Sequence, residues 1–234
     1  MFHFKKFSID DSKAAMKIGT DAVLLGAWVT CANETRILDI GSGSGILALM
    51  MAQRNANTPV DAIEIEYEAS VLTKENINLS PWSSRIEAYH LSAQQFCSNT
   101  HNKYSLIICN PPFFTDSLKS PGESRNLARH NDTLAVSDLL GITSELLTDE
   151  GKASFVIPAD ALEKWKNEAL RHGLFPMKIT YARSSPVHKV HRVLIAFTRT
   201  GIQDAVEDDI CIYNTDSSHS EEYKSLTRDF YLYF

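Results

Sequence analysis

Cysteine is scarce: there are four, at positions 31, 97, 109 and 211, and none of their spacings is that of a zinc site. At this density a disulfide framework is not expected, and the reading is a reduced, cytosolic protein. Long apolar runs are missing too. The longest, Gly45–Ala52, is far too short to span a bilayer. The opening MFHFKKFSID lacks the apolar core of a secretion signal. There is no excess of basic charge either: a net charge of −6 over 234 residues argues against indiscriminate coating of nucleic acid. One stretch lacks the opposite sign. From Arg171 to Gln203 there is no Asp or Glu, but there are Arg171, Lys178, Arg183, Lys189, Arg192 and Arg199. Lys5, Lys6, Lys13 and Lys17 add charge near the start, so a specific enzyme acting on RNA stays open.

What is present suits one large domain, with 44% hydrophobic residues to build its core. Short apolar runs alternate with helical patterns. Strands are expected at 36–40, 60–64, 86–89, 104–109, 153–157, 178–182 and 193–198, with helices at 46–54, 68–78, 137–147 and 161–171. That alternation predicts an α/β doubly wound fold, a mostly parallel seven-stranded sheet with helices on both faces. A single domain 1–234 is expected to divide into an N-terminal extension 1–35, a core 36–200 and a polar tail 201–234 whose apolar end FYLYF docks as a short terminal element.

Between the first strand and its helix stands Asp39-Ile40-Gly41-Ser42-Gly43-Ser44-Gly45. Glycines there let a ligand lie against the turn, which side chains would block. Glu64 closes the second strand, where an acid accepts hydrogen bonds from two ribose hydroxyls. The spacing is G-x-G-x-G rather than the dinucleotide G-x-G-x-x-G, and an acid precedes it. A carboxylate would repel a pyrophosphate but suits a cofactor carrying an amino group and a sulfonium. The loop resembles motif I of class I S-adenosylmethionine-dependent methyltransferases. Asp39, Gly41, Gly43, Gly45 and Glu64 are therefore the expected cofactor-binding residues.

Asn110-Pro111-Pro112-Phe113 follows the fourth strand, at the edge where open α/β sheets bind ligands. An exocyclic amine or amide nitrogen is a poor nucleophile because its lone pair is delocalised. The Asn side-chain oxygen and the first proline's carbonyl can each accept one of its N–H bonds, returning electron density to nitrogen and aiming it. The prolines fix the turn and remove competing donors, and Phe113 can stack on a planar substrate. No general base is required, since the methylated ammonium loses its proton afterwards. The turn resembles the N-P-P-[FY] motif of amino-methyltransferases, with Asn110, Pro111, Pro112 and Phe113 as the expected catalytic residues and Asn110 also beside the cofactor.

That class acts on adenine, cytosine or guanine amines or on a glutamine amide. DNA-directed members usually carry a sizeable recognition region, for which this chain has no room. Release-factor enzymes carry a helical domain before the glycine loop, and only 38 residues precede Asp39 here. The opening FHFKKFSIDDSKAAMKIGTDAVLLGAW resembles that of the bacterial tRNA (adenine-N6)-methyltransferases that modify the adenosine beside the anticodon, position 37, of a valine tRNA. The likeness continues through NINLSPW, NPPFF, ARH, HRVLIAF and SEEYKSLTRDFYLYF, nearly the whole chain. It implies S-adenosylmethionine as cofactor, tRNA as substrate and N6-methyladenosine as product. It also places the Lys17–Asp21 segment beside the cofactor, which adds Lys17 and Thr20 as contacts. Two alternatives stand: methylation of an rRNA base amine or a protein glutamine amide, and a non-catalytic adaptor that only binds S-adenosylmethionine.

One departure from the class is plain. Many members hold the cofactor's adenine with an acid after the third strand; here that stretch is HLSAQQF, and Ser92 or the Ala93 backbone is the expected substitute. For RNA, Lys189 and Arg192 are expected to meet phosphates, with Arg129, in the loop after the catalytic turn, as a third contact. Arg192 has a competing reading as the partner of a core acid. No metal is expected: His188-x-x-His191 has no Cys or carboxylate nearby. Thr20-Asp21 reads as the cap of the helix that follows, and Trp28 and Trp82 as core.

Overall fold

A computed structural model describes residues 1–12, 17–112, 134–201 and 204–233. A small hairpin, β1 (Phe2–His3) and β2 (Ser8–Ile9), precedes α1 (Thr20–Trp28). Then β3 (Ile37–Ile40), α2 (Ile46–Arg54), β4 (Val60–Glu64), α3 (Tyr67–Asn78), β5 (Ile86–His90), α4 (Ala93–Asn99) and β6 (Tyr104–Cys109) alternate. The second half holds α5 (Val136–Leu146), β7 (Leu147–Pro158), α6 (Leu162–Arg171), β8 (Phe175–Arg183), β9 (Arg192–Thr198), β10 (Val206–Cys211) and α7 (Glu221–Thr227). Among the described residues no helix is long and apolar enough to cross a membrane.

The main sheet runs β10-β8-β9-β7-β6-β3-β4-β5, and only β9 opposes the rest. Its central strands are buried on both faces, which is why they are mostly apolar; the acids they bury, Asp39, Asp61 and Glu64, each accept hydrogen bonds. Alternation divides them between two cores. Leu106 and Ile108 of β6 face α1 and α2, whereas Ile107 and Cys109 face α4, α5 and α6. The chain starts at β3, winds outward through β4 and β5, and returns to β6 on the other side of β3. The loops leaving β3 and β6 therefore diverge, and the crevice between them is the switch point of the sheet.

The sheet has eight strands, not the seven expected. The eighth, β10, lies in the tail, where VEDDIC carries too much charge to read as a buried strand. It is an exposed edge strand, parallel to β8, and its acids meet the cations of its neighbour. Lys178 Nζ is 3.7 Å from Asp208, Arg183 pairs with Asp209, and the Tyr181 hydroxyl donates to Glu207 at 3.0 Å. Two cations of the basic stretch, Lys178 and Arg183, are thus met in space by acids from outside it. The start of α1 also differs from expectation: Gly19 is its N-cap, with no side-chain cap bond.

Candidate active site

Three backbone positions in the glycine loop have the left-handed conformation: Gly41 at φ +72°, Gly43 at +58° and Gly45 at +85°. Such angles favour glycine whatever the space around them. A Cβ on Gly41 or Gly43 would meet nothing within 4 Å, so that face of the loop is open. Gly45 differs, because its Cβ would lie 3.3 Å from the Thr73 methyl. Gly45 caps α2 and packs against α3, whereas the first two glycines border free space.

Asp39 is fully buried on β3. One carboxylate oxygen accepts from the Ala48 amide of α2 at 3.0 Å; Oδ1 has no partner among the described residues. Burial pushes its carboxyl up to about 7; the Ala48 amide opposes this and the charge of Glu64 adds to it. Glu64, at the end of β4, accepts from the Gly43 amide at 2.9 Å and from the Glu66 amide at 2.9 Å. A carboxylate has about four acceptor positions, so two remain for a ligand's hydroxyls.

The register pairs Ile40 with Cys109, so Asn110 leaves β6 beside the glycine loop leaving β3. Asn110 Oδ1 is buried and has no partner among the described residues. An unmet buried acceptor costs roughly 1–3 kcal/mol. Two such oxygens at neighbouring strand ends, with open space before Gly41 and Gly43, fit a polar ligand that bears donors or positive charge. Pro111 is half-buried and Pro112 exposed; Phe113 lies outside the described residues. The preceding Cys109 is no nucleophile: burial, then the charges of Asp39 and Glu64, hold its thiol well above the ordinary range.

Ser92 stands beside Glu64, since the Leu91 amide donates to the Glu64 carbonyl at 3.1 Å. Ser92 caps α4 through a complete capping box: its hydroxyl accepts from the Gln95 amide at 3.1 Å, and its own amide donates to Gln95 Oε1 at 3.1 Å. Its amide is therefore committed to the cap, while its hydroxyl keeps the O–H donor and one acceptor position. Lys17 Nζ donates to the Asp11 and Ser12 carbonyls at 2.6 and 3.0 Å, and Thr20 is exposed in the first turn of α1. Neither hydrogen-bonds to Asp39, Glu64 or Asn110 among the described residues. Arg192 pairs with Asp21 at 2.7 Å, the competing reading of that residue. Lys189 is exposed in the β8–β9 loop, and Arg129 lies outside the described residues. Since Pro158 at the end of β7 pairs with Arg192 at the start of β9, that loop opens on the edge that carries Asn110. His188 Nδ1 is 2.6 Å from Ser185 Oγ, and no group of three metal-ligating side chains occurs among the described residues. Trp28 and Trp82 are packing residues: Trp28 donates to Thr180 at 2.7 Å, and Trp82 meets Phe7 edge-on at 5.7 Å.

Two contributors were not foreseen. Thr73 and Asn76 of α3 are both fully buried and bond to the glycine loop from behind, to the Gly43 carbonyl at 2.8 Å and the Ser44 carbonyl at 2.9 Å. Their signal was a helix whose buried stripe includes Ser70, Thr73 and Asn76, polar where packing alone would select apolar side chains.

Sheet order, glycine loop and Asn-Pro-Pro turn at the switch point define a class I methyltransferase fold. The family model of the methyltransferase small domain matches residues 12–158. Curated relatives named tRNA1(Val) (adenine(37)-N6)-methyltransferase occur in Bacteroides fragilis, 45% identical over 99% of this chain and 97% of the relative, and in Flavobacterium psychrophilum, 41% identical over 99% of both. The relative from Serratia proteamaculans is 37% identical over 100% of this chain and 90% of its own. The chain belongs to the tRNA1(Val) (adenine(37)-N6)-methyltransferase family. Among solved structures, a predicted O-methyltransferase from Agrobacterium tumefaciens shares the fold at TM-score 0.70 and 19% identity, covering 90% of this chain and 96% of that one. A ribosomal protein L11 methylase from Lactobacillus delbrueckii does so at 0.53 and 20%, covering 77% of each.

Proposed function

We propose that this protein transfers a methyl group from S-adenosylmethionine to the exocyclic N6 of an adenosine in tRNA, position 37 of a valine tRNA as in its relatives' name. The observation that carries this reading is the buried Oδ1 of Asn110, without a partner among the described residues, beside an open glycine loop. S-adenosylmethionine, when bound, supplies an electrophilic methyl on a sulfonium. Glu64 would hold its ribose, Asp39 would face its positive end, and Gly41 and Gly43 would leave it room. Asn110 Oδ1 and the Pro111 carbonyl accept the two N–H bonds of the adenine amine, which orients its nitrogen and enriches it in electron density. Phe113 is assigned to stacking on the base. The target must be unstacked to enter, which an anticodon-loop adenosine satisfies more readily than a paired one. Lys189 supplies a phosphate contact on the same edge; Arg192 contributes less because Asp21 neutralises it. A tRNA substrate places the reaction in the cytoplasm.

A protein glutamine amide would satisfy the same two acceptors, and a non-catalytic adaptor would not need them. Incubation of the purified protein with S-adenosylmethionine and an unmodified valine tRNA transcript, followed by nucleoside mass spectrometry, distinguishes these. The expected product is N6-methyladenosine, absent when position 37 is changed. Methylation of protein alone, or cofactor binding with no methylation of any fraction, would defeat the reading.

A further inference from the structure

From the contacts behind the glycine loop we infer that Thr73 and Asn76 are positioning residues that preset this loop for the methyl donor, and that Asn76 makes the N-terminal segment part of the cofactor site. The inference rests on the reading that the loop holds S-adenosylmethionine. Asn76 is 0% exposed and spends its amide fully on main chain. Its Oδ1 accepts from the Asp10 amide at 2.8 Å, and its Nδ2 donates to the Asp10 carbonyl at 2.8 Å and the Ser44 carbonyl at 2.9 Å. The reciprocal pair at Asp10 imitates a strand bridge, so one side chain fastens the N-terminal segment and the glycine loop to the same point of α3. One turn earlier, the Thr73 hydroxyl donates to the Gly43 carbonyl at 2.8 Å and lies 3.2 Å from Ser42 Oγ, while its methyl fills the space at Gly45.

These bonds act on one side of the loop. The carbonyls of Gly43 and Ser44 are held from the α3 side, whereas the side before Gly41 and Gly43 is open. A loop with three left-handed glycines has wide conformational freedom when unrestrained, and binding would have to remove it. Preorganisation from behind removes it beforehand, so the effect belongs in ligand affinity rather than in the chemical step. Only an amide serves at position 76. A carboxylate of the same shape keeps the acceptor for the Asp10 amide but turns two carbonyl oxygens toward a negative charge.

Asn76→Asp tests this by titration calorimetry with S-adenosylhomocysteine and by steady-state kinetics with varied S-adenosylmethionine. We expect affinity to fall about tenfold or more, the scale of one or two lost hydrogen bonds, with KM for the cofactor rising in step and kcat at saturation within about twofold of wild type. A merely structural role gives another pattern: a smaller active fraction lowers apparent kcat and leaves KM and affinity unchanged. That pattern, or wild-type affinity, overturns the inference. If Asn76→Asp does not fold, Thr73→Val decides, since it keeps the methyl and loses the hydroxyl. We then expect a several-fold loss of affinity that Thr73→Ser restores, and unchanged affinity in Thr73→Val refutes the role. A wild-type protein that binds no S-adenosylhomocysteine would instead defeat the reading of the site itself.

Discussion

Asn110 and Asp39 each keep a buried oxygen without a partner among the described residues, and an unmet buried acceptor costs stability. Asn110→Ala is therefore expected to leave cofactor affinity nearly intact while cutting turnover roughly 10²–10³-fold, comparable to the loss of one preorganised electrostatic partner. Single-turnover kinetics on the tRNA transcript would measure it, and wild-type turnover would remove Asn110 from the chemistry. Asp39 adds a pH signature. Its folded pKa of about 7 lies above the ordinary 3.8, so the native state holds this proton more tightly than the unfolded chain does. The group's contribution to stability is full below about 3.8 and is lost as pH rises through about 7. A bound cation reverses the preference and expels the proton. Cofactor affinity should thus rise from about pH 6 to 8 more steeply in wild type than in Asp39→Asn, a comparison that cancels titration of the cofactor itself. Equal slopes would mean that Asp39 does not face the positive end.

At the scale of elements, β8 and β10 show how a basic segment disappears into its own fold. The pairs from Lys178 and Arg183 are largely exposed, and each is worth at most about 1 kcal/mol. Deeper in, the Trp28 indole donates to the buried Thr180 hydroxyl, which in turn donates to Asp208. Thr180→Val keeps the shape but leaves the indole N–H without an acceptor. We expect it to cost roughly 1–3 kcal/mol in urea unfolding, against less than about 1 kcal/mol for Asp209→Ala. Similar losses in the two variants would show that the indole bond adds nothing beyond a surface pair. The Arg192–Asp21 pair works the same way at the other end of β8–β9, tying the loop over the catalytic edge to the first turn of α1.

The whole molecule carries a net charge of −6, and the proposed tRNA substrate is an anion as well. With Arg183 and Arg192 paired to acids, exposed Lys189 is the cation best placed on the catalytic edge among the described residues. Lys189→Ala is expected to lower the salt slope of tRNA binding by about 1, with cofactor affinity untouched. Arg192→Ala is expected to change that slope by clearly less, because its charge is already met by Asp21. Filter binding over a range of salt concentrations measures both, and the reverse ranking would mean that phosphate displaces Asp21 from Arg192.

Legibility followed distance along the chain. Gly41, Gly43 and Gly45 were readable because a tight strand-to-helix turn needs left-handed backbone, and Asn110-Pro111-Pro112 because two successive prolines cannot continue a central strand. The buried strands β3, β4 and β6 announced themselves as short, mostly apolar runs, since a strand covered on both faces has no solvated side and admits acids only where partners meet them. The Ser92–Gln95 capping box was equally local, an S-x-x-Q spacing, and went unread. Everything that paired distant residues was decided only in three dimensions. Arg192 and Asp21 stand 171 positions apart, Asn76 and Asp10 66, and no periodicity links the acids of β10 to the cations of β8. Local chemistry determines which turns and strands the chain can make. Which charge meets which, and which buried side chains share a strand end, depends on sheet order, because only packing brings those atoms together.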